Sequence, residues 1–215
     1  MRLRFKENAI PEMKENPLIF FDGKENKGKW KEIFGNDNDI YLEIGSGRGD
    51  FLIEIAKDNP NINFIGLEVN TNAFVVASRK IKENELNNVR GLIADAENLE
   101  EIFENEEISR IYLNFSTPWP KRRHHKRRLS HERFLNRYKN IIKDRAILEL
   151  KTDNKELYEA SLSYFEDFSM DIIEKEINIS EEKSKYISEY ERKFRNKNMP
   201  IYYIKARFNK WIYQL

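Results

Sequence analysis

The sequence predicts an α/β domain built on a mostly parallel sheet, with helices on both faces and an antiparallel last strand. Three observations carry that reading. From Asp39 onward, short apolar runs rich in β-branched and aromatic residues alternate with amphipathic stretches, as parallel strands joined by right-handed crossovers do. After Phe168 the alternation breaks, leaving two strand-like runs with no crossover helix between them, which suits an antiparallel pair closing the sheet. The first strand runs into Gly45-Ser46-Gly47-Arg48-Gly49, a turn at the carboxyl end of a strand, where open α/β sheets bind ligands.

Taken in order, residues 1–39 are polar and rich in Lys, Glu and Asn. They read as an N-terminal extension with a mobile start, packing the apolar knot Leu18-Ile19-Phe20-Phe21 onto a domain spanning residues 40–215. Strands are predicted at Ile40–Ile44, Asn63–Val69, Val89–Ala94, Arg110–Phe115, Ala146–Lys151, Met170–Ile179 and Ile201–Phe208. Helices are predicted at Asp50–Asp58, Thr71–Glu85, Glu97–Glu104, His131–Lys143 and Asn154–Phe168. In the second, Phe74, Val75, Ala77, Ser78 and Ile81 form an inward stripe at helical spacing, and Asn70 or Thr71 caps its start. The charged segment between the last two strands carries no obvious helix.

At 215 residues and 40% hydrophobic content, the chain has the material for one sizeable core. It has no cysteine, which excludes disulfides and cysteine-based zinc sites. No stretch approaches the roughly 20 apolar residues of a membrane span, and the start lacks a signal-peptide core. A cytoplasmic protein without a membrane partner is the expectation, as monomer or homodimer.

Net charge is +1, from 38 basic and 37 acidic residues, but its distribution is uneven. Residues 121–128 read Lys-Arg-Arg-His-His-Lys-Arg-Arg; without those six cations, 32 basic residues face 37 acidic, a remainder of −5. One basic block on an acidic body points to a local polyanion contact, against the plainer readings of a solvated face or a localisation tag. The block lies within residues 116–130, a connection far longer than the usual crossover loop of about 2–6 residues. That connection also holds Pro118-Trp119-Pro120: the prolines stiffen it and Trp119 offers a stacking surface. His124, His125 and His131 all fall in this region, but with no acid or cysteine beside them before Glu132 no metal site is expected.

The glycine turn reads Glu43-Ile44-Gly45-Ser46-Gly47-Arg48-Gly49-Asp50. A dinucleotide fold wants G-x-G-x-x-G, which would put its third glycine where Asp50 stands, and a pyrophosphate would sit poorly beside that acid. Glu43 and Asp50 suit a ligand with a cationic part instead. Glu68 follows the second strand, placed to accept ribose hydroxyls, and Asp95-Ala96 follow the third, within reach of an adenine amino group. Three acids after three consecutive strands point to a nucleoside ligand. A dehydrogenase is disfavoured by the glycine spacing; a pure nucleic-acid-binding module leaves the three acids unexplained.

Asn114-Phe115-x-x-Pro118-Trp119-Pro120-Lys121, running into Arg123-His124-x-Lys126-Arg127-Arg128-Leu129, resembles the bacterial tRNA (guanine-N7)-methyltransferase family. The glycine turn, Glu68, Asp95, Lys151-Thr152-Asp153-Asn154 and Ser188-Glu189-Tyr190-Glu191 extend the resemblance over roughly residues 18–208. It implies the Rossmann-like class I methyltransferase fold, with a seven-stranded sheet. Glu43, Gly45, Gly47, Glu68, Asp95, Ala96 and Thr117 would hold S-adenosylmethionine. Lys121, Asp153, Ser188, Glu189, Tyr190 and Glu191 would hold the substrate guanosine, with Asp153 and Glu191 accepting its N1–H and exocyclic N2–H. Arg123, His124, His125, Lys126, Arg127 and Arg128 would contact RNA, the partner being tRNA methylated at a variable-loop guanosine.

Two positions depart from the family. Ser188 stands where threonine is usual and keeps the hydroxyl. Thr117, the candidate catalytic position, stands where an aspartate usually precedes Pro-Trp. The departure admits an alternative, a catalytically weak relative that still binds tRNA and cofactor. Guanine N7 is an in-plane lone pair with no proton to lose, so its methylation demands placement and a negative field rather than a general base.

Overall fold

The computed structural model describes residues 8–209. Its strands are β1 (Ile19–Phe21), β2 (Ile40–Ile44), β3 (Asn63–Glu68), β4 (Val89–Ile93), β5 (Ile108–Asn114), β6 (Ile142–Thr152), β7 (Asp171–Glu176) and β8 (Tyr202–Arg207). Its α-helices are α1 (Ala9–Lys14), α2 (Trp30–Phe34), α3 (Asp50–Asp58), α4 (Thr71–Glu83), α5 (Leu99–Ile102), α6 (Glu132–Ile141), α7 (Lys155–Asp167) and α8 (Glu189–Arg195). The strands form one sheet in the order β1-β4-β3-β2-β5-β6-β8-β7. β8 runs antiparallel to both β6 and β7, while β1 to β6 pair in parallel. The order reverses between β2 and β5, so a crevice opens above the carboxyl ends of β2, β3 and β5.

The sheet has eight strands where seven were expected. The additional strand is part of the apolar knot: Ile19, Phe20 and Phe21 pair in parallel with Gly91, Leu92 and Ile93. Gly91 allows that approach, since a Cβ there would lie 2.5 Å from Ile19 Cδ1. Three residues show no alternation, which is why the knot did not read as a strand. Of the expected mobile start, residues 1–7 lie outside the described residues and Ala9–Lys14 are helical.

Three further expectations are corrected. The charged segment before β8 contains α8, whose start Ser188 caps by accepting from the Glu191 N–H. The helix expected over Glu97–Glu104 is a 3-10 turn at Ala96–Asn98 followed by the short α5, because the Asp95 side chain takes the Glu97 N–H and turns the chain. β6 begins at Ile142, directly at the end of α6, and not at Ala146. α4 begins under the Asn70 cap, which accepts from Asn72 and Ala73 N–H, and buries Phe74, Val75, Ala77, Ser78 and Ile81.

Period-2 alternation divides each central strand between two cores. Leu42, Ile111 and Leu148 pack with Trp30, Phe134 and Phe165 under α2, α6 and α7. Tyr112 and Phe64 pack with Met13, Phe51 and Phe74 under α1, α3 and α4. Trp30 is fully buried and its indole N–H is satisfied by the Ile102 carbonyl at 3.1 Å. Burial of one such large side chain contributes about 1.5–3 kcal/mol. Near the carboxyl ends of β2, β5 and β6 the apolar runs are interrupted by the buried polar residues Glu43, Asn114 and Lys151.

Candidate active site

Glu43, the fourth residue of β2, is only 3% exposed. One carboxylate oxygen accepts from Asn114 Nδ2 at 2.9 Å; the other, Oε2, is buried with no partner among the described residues. Burial pushes the carboxyl up to about 7, against the opposing pull of Asn114 and Lys151. A buried acid in that state fits a cationic partner better than water alone. Above it, Gly45 adopts φ +81° and an added Cβ would meet nothing within 4 Å, so the backbone lies open to a ligand.

Glu68, at the end of β3, faces the same turn. Its Oε2 accepts the Gly47 N–H at 3.0 Å and its Oε1 the Asn70 N–H at 2.8 Å, which fixes the carboxylate beside the glycine turn. Val69, next in sequence, is 65% exposed, an apolar surface at the crevice that sequence reasoning passed over. Asp95 is exposed just past β4 and Ala96 is buried behind it. Asp50 is already paired, its carboxylate accepting from Lys80 Nζ at 2.8 Å, whereas Glu43 has no such ion pair among the described residues.

The connection after β5 is ordered by strain and by one buried arginine. Phe115 and Trp119 both take positive φ, 52° and 43°, conformations that cost bulky residues about 1–3 kcal/mol each. Arg128 compensates from within: its Nε donates to the Pro118 carbonyl at 2.8 Å, and its Nη2 to the Trp119 carbonyl at 3.4 Å and to Glu156 at 2.6 Å. Its side chain is 1% exposed, so this residue, expected on RNA, braces the loop instead. The remainder of the block forms a 3-10 helix over Arg122–Arg127, with Lys121, Arg122, Arg123, Lys126 and Arg127 exposed. Arg127 lies over the Trp119 ring at 5.0 Å and His124 meets that ring edge-on at 5.7 Å. His125 is half-buried, its Nε2 3.5 Å from Glu156. His131 caps α6 by accepting the Arg133 N–H. Thr117 is exposed between Phe115 and Trp119.

The segment 188–191 divides. Tyr190 is 55% exposed and lies parallel to Phe194, which in turn stacks on Phe115 at 5.8 Å. Glu189 forks onto Arg48 of the glycine turn at 2.9 and 3.0 Å, tying α8 to that turn. Glu191, expected to accept from guanine, is fully buried and already engaged: Ser184 and Arg195 donate to one oxygen and Lys151 to the other. Asp153, just past β6, is half-buried; burial raises its carboxyl above the usual carboxylate range, while its own backbone N–H and Lys193 oppose the shift. Unlike Glu191, Asp153 keeps part of its surface open to solvent.

Sequence reasoning named Asn114, Lys151 and Arg48 only as parts of motifs and gave them no role of their own. The first two carried a signal, since each is a polar residue within an apolar strand, and they are direct register partners across β5 and β6. Among the described residues no group of three His, Asp or Glu could hold a metal ion, and no helix is long and apolar enough to cross a membrane.

A family model described as "Putative methyltransferase" matches residues 37–204. A tRNA (guanine-N(7)-)-methyltransferase of Listeria monocytogenes serotype 4b is 42% identical over 213 residues, covering 98% of this chain and 100% of the relative. One of Clostridium tetani, with the same name, is 42% identical, covering 96% of this chain and 99% of the relative. The 16S rRNA methyltransferase KamB shares the fold at TM-score 0.66 and 13% identity, over 85% of this chain and 93% of that one. With near-complete coverage at this identity, the chain belongs to the tRNA (guanine-N(7)-)-methyltransferase family.

Proposed function

We propose that this protein transfers a methyl group from S-adenosylmethionine to N7 of the variable-loop guanosine of tRNA. The observation that carries this reading is Glu43, a buried carboxylate with one unpartnered oxygen beneath an open glycine turn. A site of that kind calls for a cation, which the ammonium and sulfonium of the cofactor provide. Glu68, oriented by two backbone N–H groups, is set for the ribose hydroxyls, Val69 for a flat adenine face and Asp95 for its amino group. The names carried by the relatives favour the enzyme over the catalytically weak alternative.

When bound, S-adenosylmethionine supplies an electrophilic methyl carbon and takes back the electron pair of the breaking C–S bond. The chain has no proton to remove from N7. Its work is orientation, which can supply roughly 7–11 kcal/mol, and a negative field for the cationic ring that forms. Asp153 accepts from the guanine N1–H and N2–H edge. Lys121 and Tyr190 flank that base, Tyr190 through its exposed ring. Thr117 offers a hydroxyl where the family has a carboxylate. Drawing the base from folded tRNA costs a few kcal/mol, offset by Arg122, Arg123, Lys126 and Arg127 gripping phosphate. Arg128 keeps that loop in shape, and Glu191 holds α8 against β6 through Lys151. The expected result is thermal stabilisation by S-adenosylhomocysteine and none by NAD. Stabilisation by NAD alone would overturn the reading.

A further inference from the structure

We infer that the exposed face of α8 and the residues just after it, through Arg192, Lys193 and Lys197, form a second phosphate-binding surface for the RNA substrate. This deepens the tRNA reading and rests on it. Many cations of the described surface are paired: Lys24, Lys57, Arg79, Lys80, Arg133, Arg137, Lys143, Lys183 and Lys185 each lie within 4 Å of a carboxylate. Among the described residues, exposed cations outside such pairs also occur singly, as at Lys14, Lys82, Arg145 and Lys175, but groups of three or more close in sequence occur in two places. One is the loop block Lys121, Arg122, Arg123, Lys126 and Arg127. The other is Arg192, Lys193 and Lys197, all exposed.

The second group is positive because both acids of α8 are neutralised elsewhere. Glu189 is held by Arg48 of the glycine turn, and Glu191 is buried among Lys151, Ser184 and Arg195. What α8 presents outward is a shallow depression lined by Glu189, Arg192, Lys193, Asn196 and Lys197. The two cation groups are also continuous through packing. Phe115 opens the loop that carries the first group, and it stacks on Phe194 of the helix that carries the second. Lys193 lies over the Phe194 and Tyr190 rings, 5.7 and 6.0 Å from their centroids, and its charge reaches Asp153. An RNA strand entering over Tyr190 therefore meets cations on both sides of the base seat. A polyanion tracking a groove with aromatic stacking surfaces is the partner that fits this pattern.

The test is the salt dependence of tRNA binding for the full chain and two variants of α8. Each phosphate that is no longer neutralised lowers the slope of log K against log salt by about 0.7–0.9. Arg192→Ala/Lys193→Ala/Lys197→Ala should lower it by roughly two units, with S-adenosylhomocysteine affinity and melting temperature unchanged. Arg192→Gln/Lys197→Gln, which leaves Lys193 on its rings, should lower it by about 1.4–1.8. An unchanged slope in both α8 variants, while Arg122→Ala/Arg123→Ala/Lys126→Ala lowers it, would overturn the inference and leave the tRNA reading intact. A changed oligomeric state with an unchanged slope would assign the face to a second copy of the chain and also overturn it. Wild-type protein without salt-dependent tRNA binding would remove the reading beneath it.

Discussion

At the scale of single residues, Glu43 makes the sharpest commitment. Folded, it holds its proton up to about pH 7, well above the ordinary value of 4.5, because burial penalises the charge. The contribution of this proton to stability is therefore complete below about pH 4.5 and is lost as pH rises through about 7, an effect on the order of 3 kcal/mol. A cationic ligand beside Glu43 favours the ionised form, so its binding should release a proton. Calorimetric titration of S-adenosylhomocysteine at pH 6 in two buffers of different ionisation enthalpy should report release approaching one proton, absent in Glu43→Gln. Affinity should fall as pH drops below about 7 and level off above it; a flat profile would place the cation elsewhere. Thr117 is the other residue at risk. If the family aspartate only adds negative field, Thr117→Asp should raise the single-turnover rate by about tenfold, or ~1.4 kcal/mol. Wild-type protein without turnover, rescued by that substitution, would show the carboxylate to be indispensable.

At the scale of elements, the basic block divides into one structural residue and a set of solvent-facing ones. That division was illegible in Lys-Arg-Arg-His-His-Lys-Arg-Arg, since composition does not say which cation turns inward. It follows from tertiary packing: Arg128 meets two carbonyls of its own loop and Glu156 of α7. Arg128→Ala should destabilise the protein by about 1–3 kcal/mol through removal of charged hydrogen bonds, and should expose residues 116–127 to proteolysis. Arg122→Ala/Arg123→Ala/Lys126→Ala should leave the melting temperature where it is. Equal melting temperatures for Arg128→Ala and wild type would refute the brace. The role expected of Glu191 failed for a related reason. Its carboxylate is a plausible guanine acceptor by chemistry alone, and only the placement of Lys151, Ser184 and Arg195 around it shows that its oxygens are engaged.

At the scale of the whole molecule, the parallel core and its reversal after Phe168 were readable because period-2 and period-3.6 patterns each persist over several residues. Ile40–Ile44 and Asp50–Asp58 appear with the boundaries expected of them. β1 and α8 were not readable: one is too short to show a period, and the other hides its buried face behind Glu191 and a run of charges. The strand-end acids were legible because polar residues closing apolar strands are anomalous against the pattern around them. That Glu43 and Glu68 meet at the glycine turn required the topology, which brings β2 beside β3. The central claim is that this crevice and the loop after β5 together methylate guanine N7 in tRNA. Its most direct test is incubation with labelled S-adenosylmethionine and a tRNA transcript, followed by chemical cleavage at N7-methylguanosine. Label incorporation with strand scission at a single variable-loop guanosine is the predicted result. Incorporation without scission at N7-methylguanosine, or no incorporation at all, would contradict it.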